Sequence, residues 1–234
     1  MRLGFCYNCI EVRQLEIDGA LYIPGFSNEK QQEEFKVIFA HSLNLDKVDK
    51  KYWKINIDTY KSVYSVSLLF EDKVIGFWIV FNLSFQKMDL ELLAGLNEDA
   101  EKIFKEEWFY GIKDEDALKS LLARVDNCFF EFEPYPTTVS KAKVFWYTIA
   151  TKQMFNNGNK RTALLTALAF LKLNGYKLDF KDANELYNIS MDLANKRMSE
   201  DDLERYLLKK TRIDFEQMEE LSKDLNFEKI SKLW

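Results

Sequence analysis

The sequence predicts a mainly α fold: a helical bundle carrying a short β-hairpin flap, preceded by a small α+β N-terminal domain. Three observations predict it. Apolar residues recur at helical spacing along the second half of the chain. Two runs rich in β-branched and aromatic residues, Ser62–Phe70 and Val74–Phe81, lie in the first third. Between two helical stretches, the segment Gln153–Ala163 (Q-M-F-N-N-G-N-K-R-T-A) replaces the apolar pattern with polar, donor-rich residues.

Residues 1–85 form the expected α+β domain. Leu15–Ile23 and Tyr52–Asp58 read as strands and Asn28–Leu43 as a helix, while Glu71, Asp72 and Lys73 turn the two β-rich runs into a hairpin. Partner recognition and scaffolding are both open roles for it. An acidic helix around Asn97–Glu107 joins this domain to the bundle of residues 86–212. There Asp114 can serve as a helix cap. In Phe129–Thr138 (F-F-E-F-E-P-Y-P-T-T) the alternation of Phe and Glu suits a strand, and Pro134 and Pro136 exclude a helix.

Val144, Phe145, Tyr147, Thr148, Ile149 and Phe155 mark the helix before the polar segment. Leu164, Leu165, Ala167, Leu168 and Leu171 mark the helix after it, which Asn174-Gly175 ends in a left-handed cap. Lys181–Lys196 and Ser199–Lys209 read as amphipathic helices with inner faces at Leu186, Ile189, Leu193, Leu203, Tyr206 and Leu207. Ser199 and Asp202 stand in capping-box register. Residues 213–234, apolar at Phe215, Met218, Leu221 and Leu225, predict a C-terminal helix.

The junction between the two central helices is built to hold an anion. Asn156 or Asn157 can cap the second helix, and Gly158 lets the backbone turn closely. The amides of Asn159, Lys160 and Arg161 then point outward at the positive end of the helix dipole. Lys160 and Arg161 add formal charge, and Arg161 can grip a phosphate through two parallel hydrogen bonds.

From Phe155 to Ala163 this segment resembles the signature of the Fic/Doc (Fido) family, H-x-F-x-[D/E/N]-[G/A]-N-[G/K]-R. The resemblance spans about Tyr110–Thr211 and implies a Fido-type helical bundle. It also implies transfer of AMP, or in the Doc branch of phosphate, from ATP to protein hydroxyls. Lys160 and Leu164 look like the Doc branch. By this resemblance Gly158, Asn159, Lys160 and Arg161 bind the phosphates of ATP or another nucleotide, Phe155 anchors the motif, and Asn157 offers a weak oxygen ligand to Mg²⁺. Phe130, Glu131, Phe132 and Glu133 form the flap that aligns a protein target by strand pairing, with a core strand as the equal alternative. A separate antitoxin-like protein is the implied regulator.

One position departs from the signature. Gln153 stands where the family has the catalytic His, the general base for the attacking hydroxyl, and the chain's one histidine is His41. An amide does not titrate near neutral pH, and losing base assistance costs about two to four powers of ten in rate. The expectation is a degenerate or strongly impaired AMP- or phosphotransferase. The alternatives are an active adenylyltransferase or Doc-type kinase, and a partner-binding regulatory module without chemistry; Gln153 positioning a water for slow hydrolysis is a further idea. No clean copy of the family's inhibitory pattern [S/T]-x-x-x-E-[G/N] occurs; Ser67–Asp72 comes nearest, inside an expected strand.

Composition fits this layout. The 234 residues are 47% hydrophobic, enough for a sizeable core. A net charge of −5 argues against a general nucleic-acid surface. Val74–Phe81 is too short to span a bilayer and the N-terminus has no secretory pattern, so cytoplasmic residence is expected, and the Lys-, Asn- and Phe-rich usage correlates with a bacterial source. Cys6-Tyr-Asn-Cys9, Cys128 and His41 supply only one closely spaced pair, so no zinc site is expected.

Overall fold

The computed structural model describes residues 18–60, 63–104, 109–127 and 133–218. Strand β1 (Gly19–Pro24) is followed by helix α1 (Glu29–Ser42), then β2 (Trp53–Tyr60), β3 (Val63–Phe70) and β4 (Lys73–Leu83). The four strands form one sheet in the order β1-β4-β3-β2, parallel between β1 and β4 and antiparallel elsewhere. Period-2 patterning sets its face: Val66 and Leu68 are buried on β3 while Val63, Ser65 and Ser67 are less so. The hairpin turn is shorter than the sequence suggests. Lys73 pairs with Phe70, leaving Glu71 (φ 48°) and Asp72 (φ 60°) as a two-residue turn with both residues left-handed, the conformation that matches strand twist.

The bundle comprises α2 (Leu90–Phe104), α3 (Glu115–Asp126), α4 (Thr138–Thr151), α5 (Asn159–Leu173), α6 (Ala183–Ala194) and α7 (Glu200–Lys210). Most starts follow their caps: Asn28 and Gln31 form a capping box on α1, Asp114 caps α3, Asp182 caps α6, and Ser199 with Asp202 boxes α7. Asn174 and Gly175 (φ 81°) end α5 as expected. Two corrections concern elements. The acidic helix begins at Leu90 rather than near Asn97, because Leu90, Leu93 and Leu96 extend its apolar face. A short pairing of β5 (Tyr176–Leu178) with β6 (Thr211–Ile213) closes the end of the bundle, an element the helical reading passed over.

One hydrophobic cluster runs through the molecule. Phe26, Phe35, Ile38 and Phe39 from the sheet side belong to the same cluster as Phe145, Trp146, Phe170 and Leu207 of the bundle. Of the predicted flap, Phe130, Glu131 and Phe132 lie outside the described residues, as do Cys6, Cys9, Cys128 and the C-terminal segment beyond Met218. Glu133 is half-buried, with its carboxylate 2.9 Å from the Nζ of the buried Lys141. No described helix is long and apolar enough to cross a membrane.

Candidate functional site

The polar segment lies between α4 and α5, where two local features fix its path. Phe155 is buried at 1% exposure and pins the loop to the core. Asn159 clamps that residue's backbone from the far side: its Oδ1 accepts from Phe155 N–H at 2.9 Å and its Nδ2 donates to Phe155 O at 2.9 Å. The motif loop is further held by Gly111, whose O accepts from Asn156 N–H at 2.9 Å, and by a bridge between Ile112 and Phe155. Asn159 thus spends its side chain on shaping the loop.

The cap differs from expectation. Neither Asn156 nor Asn157 caps α5; Gly158 is the N-cap, in the left-handed region at φ 70°, without a side-chain hydrogen bond to the first turn. The reason is tight packing against α2. A Cβ at position 158 would sit 2.1 Å from Glu101 Oε1, so only glycine leaves room for that carboxylate.

Glu101 and Asn97 on α2 are the site residues that sequence reasoning missed. Glu101 is 2% exposed; its Oε1 accepts from Arg161 Nη2 at 2.6 Å and its Oε2 from Asn157 Nδ2 at 3.0 Å. A carboxylate therefore lies against the expected phosphate grip, beside the start of α5. Asn97, fully buried, ties α2 to the same corner: Nδ2 donates to Asn157 O and to Thr162 Oγ1, both at 2.9 Å, and Oδ1 accepts from Gly111 N–H at 2.7 Å. The available signal was the spacing Asn97-x-x-x-Glu101, which puts both side chains on one helix face. The pattern [S/T]-x-x-x-E-[G/N] misses it because Asn97 and Lys102 occupy its end positions.

Gln153 lies in the loop just beyond α4 with its side chain exposed, and Lys160 is exposed on the first turn of α5. Residues 153–161 thus share one corner with Asn97 and Glu101. His41 is elsewhere: it lies in the last turn of α1, facing Leu208 and Arg212, where burial and the Arg212 charge hold its pKa below the usual imidazole value. It cannot replace a base at position 153.

Mg²⁺ takes hard oxygen ligands in near-octahedral geometry and favours carboxylates. Asn157 Oδ1 already accepts from Gly158 N–H at 2.8 Å, and the nearby Glu101 carboxylate is engaged by Arg161. No group of three His, Cys, Asp or Glu side chains able to hold a metal occurs among the described residues. In this arrangement the donor set does not fit Mg²⁺.

No curated protein matches the chain. A family comparison does find a match, and it covers α2 with its Asn97 and Glu101, α3, α4, the motif loop and most of α5. Residues 87–171 match the model of the Fic/DOC family.

Proposed function

We propose that this chain is a Fic/Doc-like nucleotide-binding protein whose transfer of AMP or phosphate to protein hydroxyls is absent or strongly impaired. Members of the family generally bind a nucleotide with Mg²⁺ and typically carry out AMP transfer or a similar reaction. The carrying observation is Gln153, exposed beside the motif loop at the position of the family's base. A target hydroxyl would meet an amide there, which can orient it by hydrogen bonding but cannot accept its proton, so a rate about two to four powers of ten below that of a base-equipped site follows. Arg161, Lys160 and the amides at the start of α5 supply the phosphate grip.

Glu101 adds regulation to this reading. Glu101 Oε1 holds Arg161 Nη2, so a nucleotide phosphate that takes that donor must displace the carboxylate, at a cost in affinity. The same residue favours a second reading, in which the protein is a competent transferase held shut.

Glu101→Gln keeps the shape of that side chain while removing its charge, and Gln153→His restores a base. The test incubates the unmodified chain, each variant and the double variant with a cytosolic extract and ATP labelled at the α- or the γ-phosphate. Label on protein from the double variant, with little from the unmodified chain or Glu101→Gln, supports the impaired transferase. Strong labelling by Glu101→Gln alone supports the shut but competent enzyme. Failure of every variant to bind ATP by calorimetry overturns both and leaves a binding module without a nucleotide.

A further inference from the structure

Strand β2 is an outer strand of the four-stranded sheet: β3 pairs with one side of it, and no described strand pairs with the other. Its hydrogen-bonding phase is fixed. Tyr52 O accepts from Glu71 N–H at 2.8 Å, one step ahead of the Trp53–Phe70 pair, and the antiparallel ladder alternates from there. The backbone groups of Lys54, Asn56 and Asp58 therefore point at β3. Those of Trp53, Ile55, Ile57 and Thr59 point outward, as a row of donors and acceptors that another strand can meet.

The two outer edges of the sheet are not equivalent. β1 has six residues and ends in Pro24, which has no N–H to offer a further strand. β2 runs for eight residues without proline and keeps an unbroken register with β3. Beside it an open groove of about 620 Å³ separates β2 from α1, lined by Val37 and Ala40 on the helix and by Trp53 and Ile55 on the strand.

Side chains decide what this edge fits. Lys54, Asn56 and Asp58 share one face of the strand, with both charged residues exposed; Ile55 and Ile57 share the other face, which turns toward α1. A second copy of β2, laid antiparallel against the first and centred on Asn56, brings the outward backbone groups of Ile55 onto those of Ile57 in that copy. Lys54 then stands directly opposite Asp58 of the second copy, at a position without backbone bonds, where facing side chains come closest. Two-fold symmetry repeats each pair. Other registers fail on charge. Centring on Ile55 or Ile57 sets Lys54 and Asp58 opposite uncharged side chains, and centring on Lys54 or Asp58 sets like charges face to face. The edge is thus complementary to itself in one register.

We propose that the β2 edge is a self-association surface, on which two copies of this chain pair β2 to β2 antiparallel about Asn56 and join their sheets into one. A contact of one strand is smaller than the standard interface of about 800 Å² per partner, so a weak dimer that forms with rising concentration is expected.

Sedimentation velocity of the full chain, across micromolar concentrations, reads the association. Lys54→Asp and Asp58→Lys each set like charges opposite one another at both pairs, and each alone is expected to weaken dimerisation roughly tenfold. Mixing the two variants restores opposite charges at both pairs, so a one-to-one heterodimer as strong as the unmodified dimer is expected. The double variant should recover in the same way. Both positions are exposed, and recovery on mixing also shows that each variant is folded. An unmodified chain that stays monomeric throughout overturns the proposal and leaves the edge to a strand of another protein. A dimer indifferent to both substitutions, or one that neither mixing nor the double variant restores, overturns it as well. No nucleotide enters these measurements, so they stand apart from the proposed function.

Discussion

At the scale of single residues, Glu101 and Arg161 decide how the site behaves. The pair is largely out of water, with side-chain exposures of 2% and 20%. Taking one partner from such a pair strands the other charge in a poor solvent, which costs about 3–5 kcal/mol. Arg161→Ala is therefore expected to destabilise the fold by about that amount, as well as to abolish phosphate binding, because it leaves Glu101 uncompensated. Glu101→Gln should cost less, since Arg161 keeps enough exposure to stay hydrated, and it should tighten ATP binding. Urea unfolding and calorimetry on the two variants check this asymmetry; equal stability losses would contradict it. The motif residues were legible because each is fixed by chemistry that the sequence states: glycine for the turn, Asn and Arg for donors. Glu101 was not legible. Its role comes from a contact across 60 residues of sequence, and the sequence showed it only as part of the acidic helix that joins the two halves.

At the scale of elements, the joint between α2 and α5 depends on Asn97. That one amide satisfies Gly111 N–H, Asn157 O and Thr162 Oγ1, all at hydrogen-bond distance in a corner where Thr162 and Asn97 are 0% exposed. Asn97→Ala strands several buried polar groups at once, each worth about 1–3 kcal/mol, so a total loss of about 3–5 kcal/mol is expected. Asn97→Asp keeps the acceptor for Gly111 N–H but loses both donors and should fall between alanine and the natural residue. Thermal or urea denaturation of the pair measures the order, and an alanine variant as stable as the parent would remove Asn97 from this role. Elements with strong caps, such as α1, α3 and α7, were readable to within a residue or so because Asn28, Asp114 and Ser199 announce them. The β5–β6 pair was not, since three-residue strands have too few positions to show a period.

At the scale of the whole molecule, the question is whether the sheet and the bundle fold as one unit. Their cores are continuous, and polar contacts cross between them. Ile213 N–H donates to Ser42 Oγ at 2.8 Å, Gln86 N–H donates to Asn174 Oδ1 at 2.9 Å, and Gln31 reaches Pro136 O at 2.7 Å. Helix α1 packs on α7 and β6 as well as on the sheet, so separate melting would expose the apolar surface α1 shares with the bundle, at about 25 cal/mol per Å². Cooperative unfolding is the expected result, and two tryptophans report on it. Trp78 lies on β4, packed edge-on to Phe39, and Trp146 is buried in α4 with its indole N–H on Ser190 Oγ at 3.0 Å. In variants that keep one of these two and none of the chain's other three tryptophans, urea transitions followed by fluorescence should share a midpoint. A Trp78 signal that is lost well before the Trp146 signal would mean that residues 1–85 act as a separate domain.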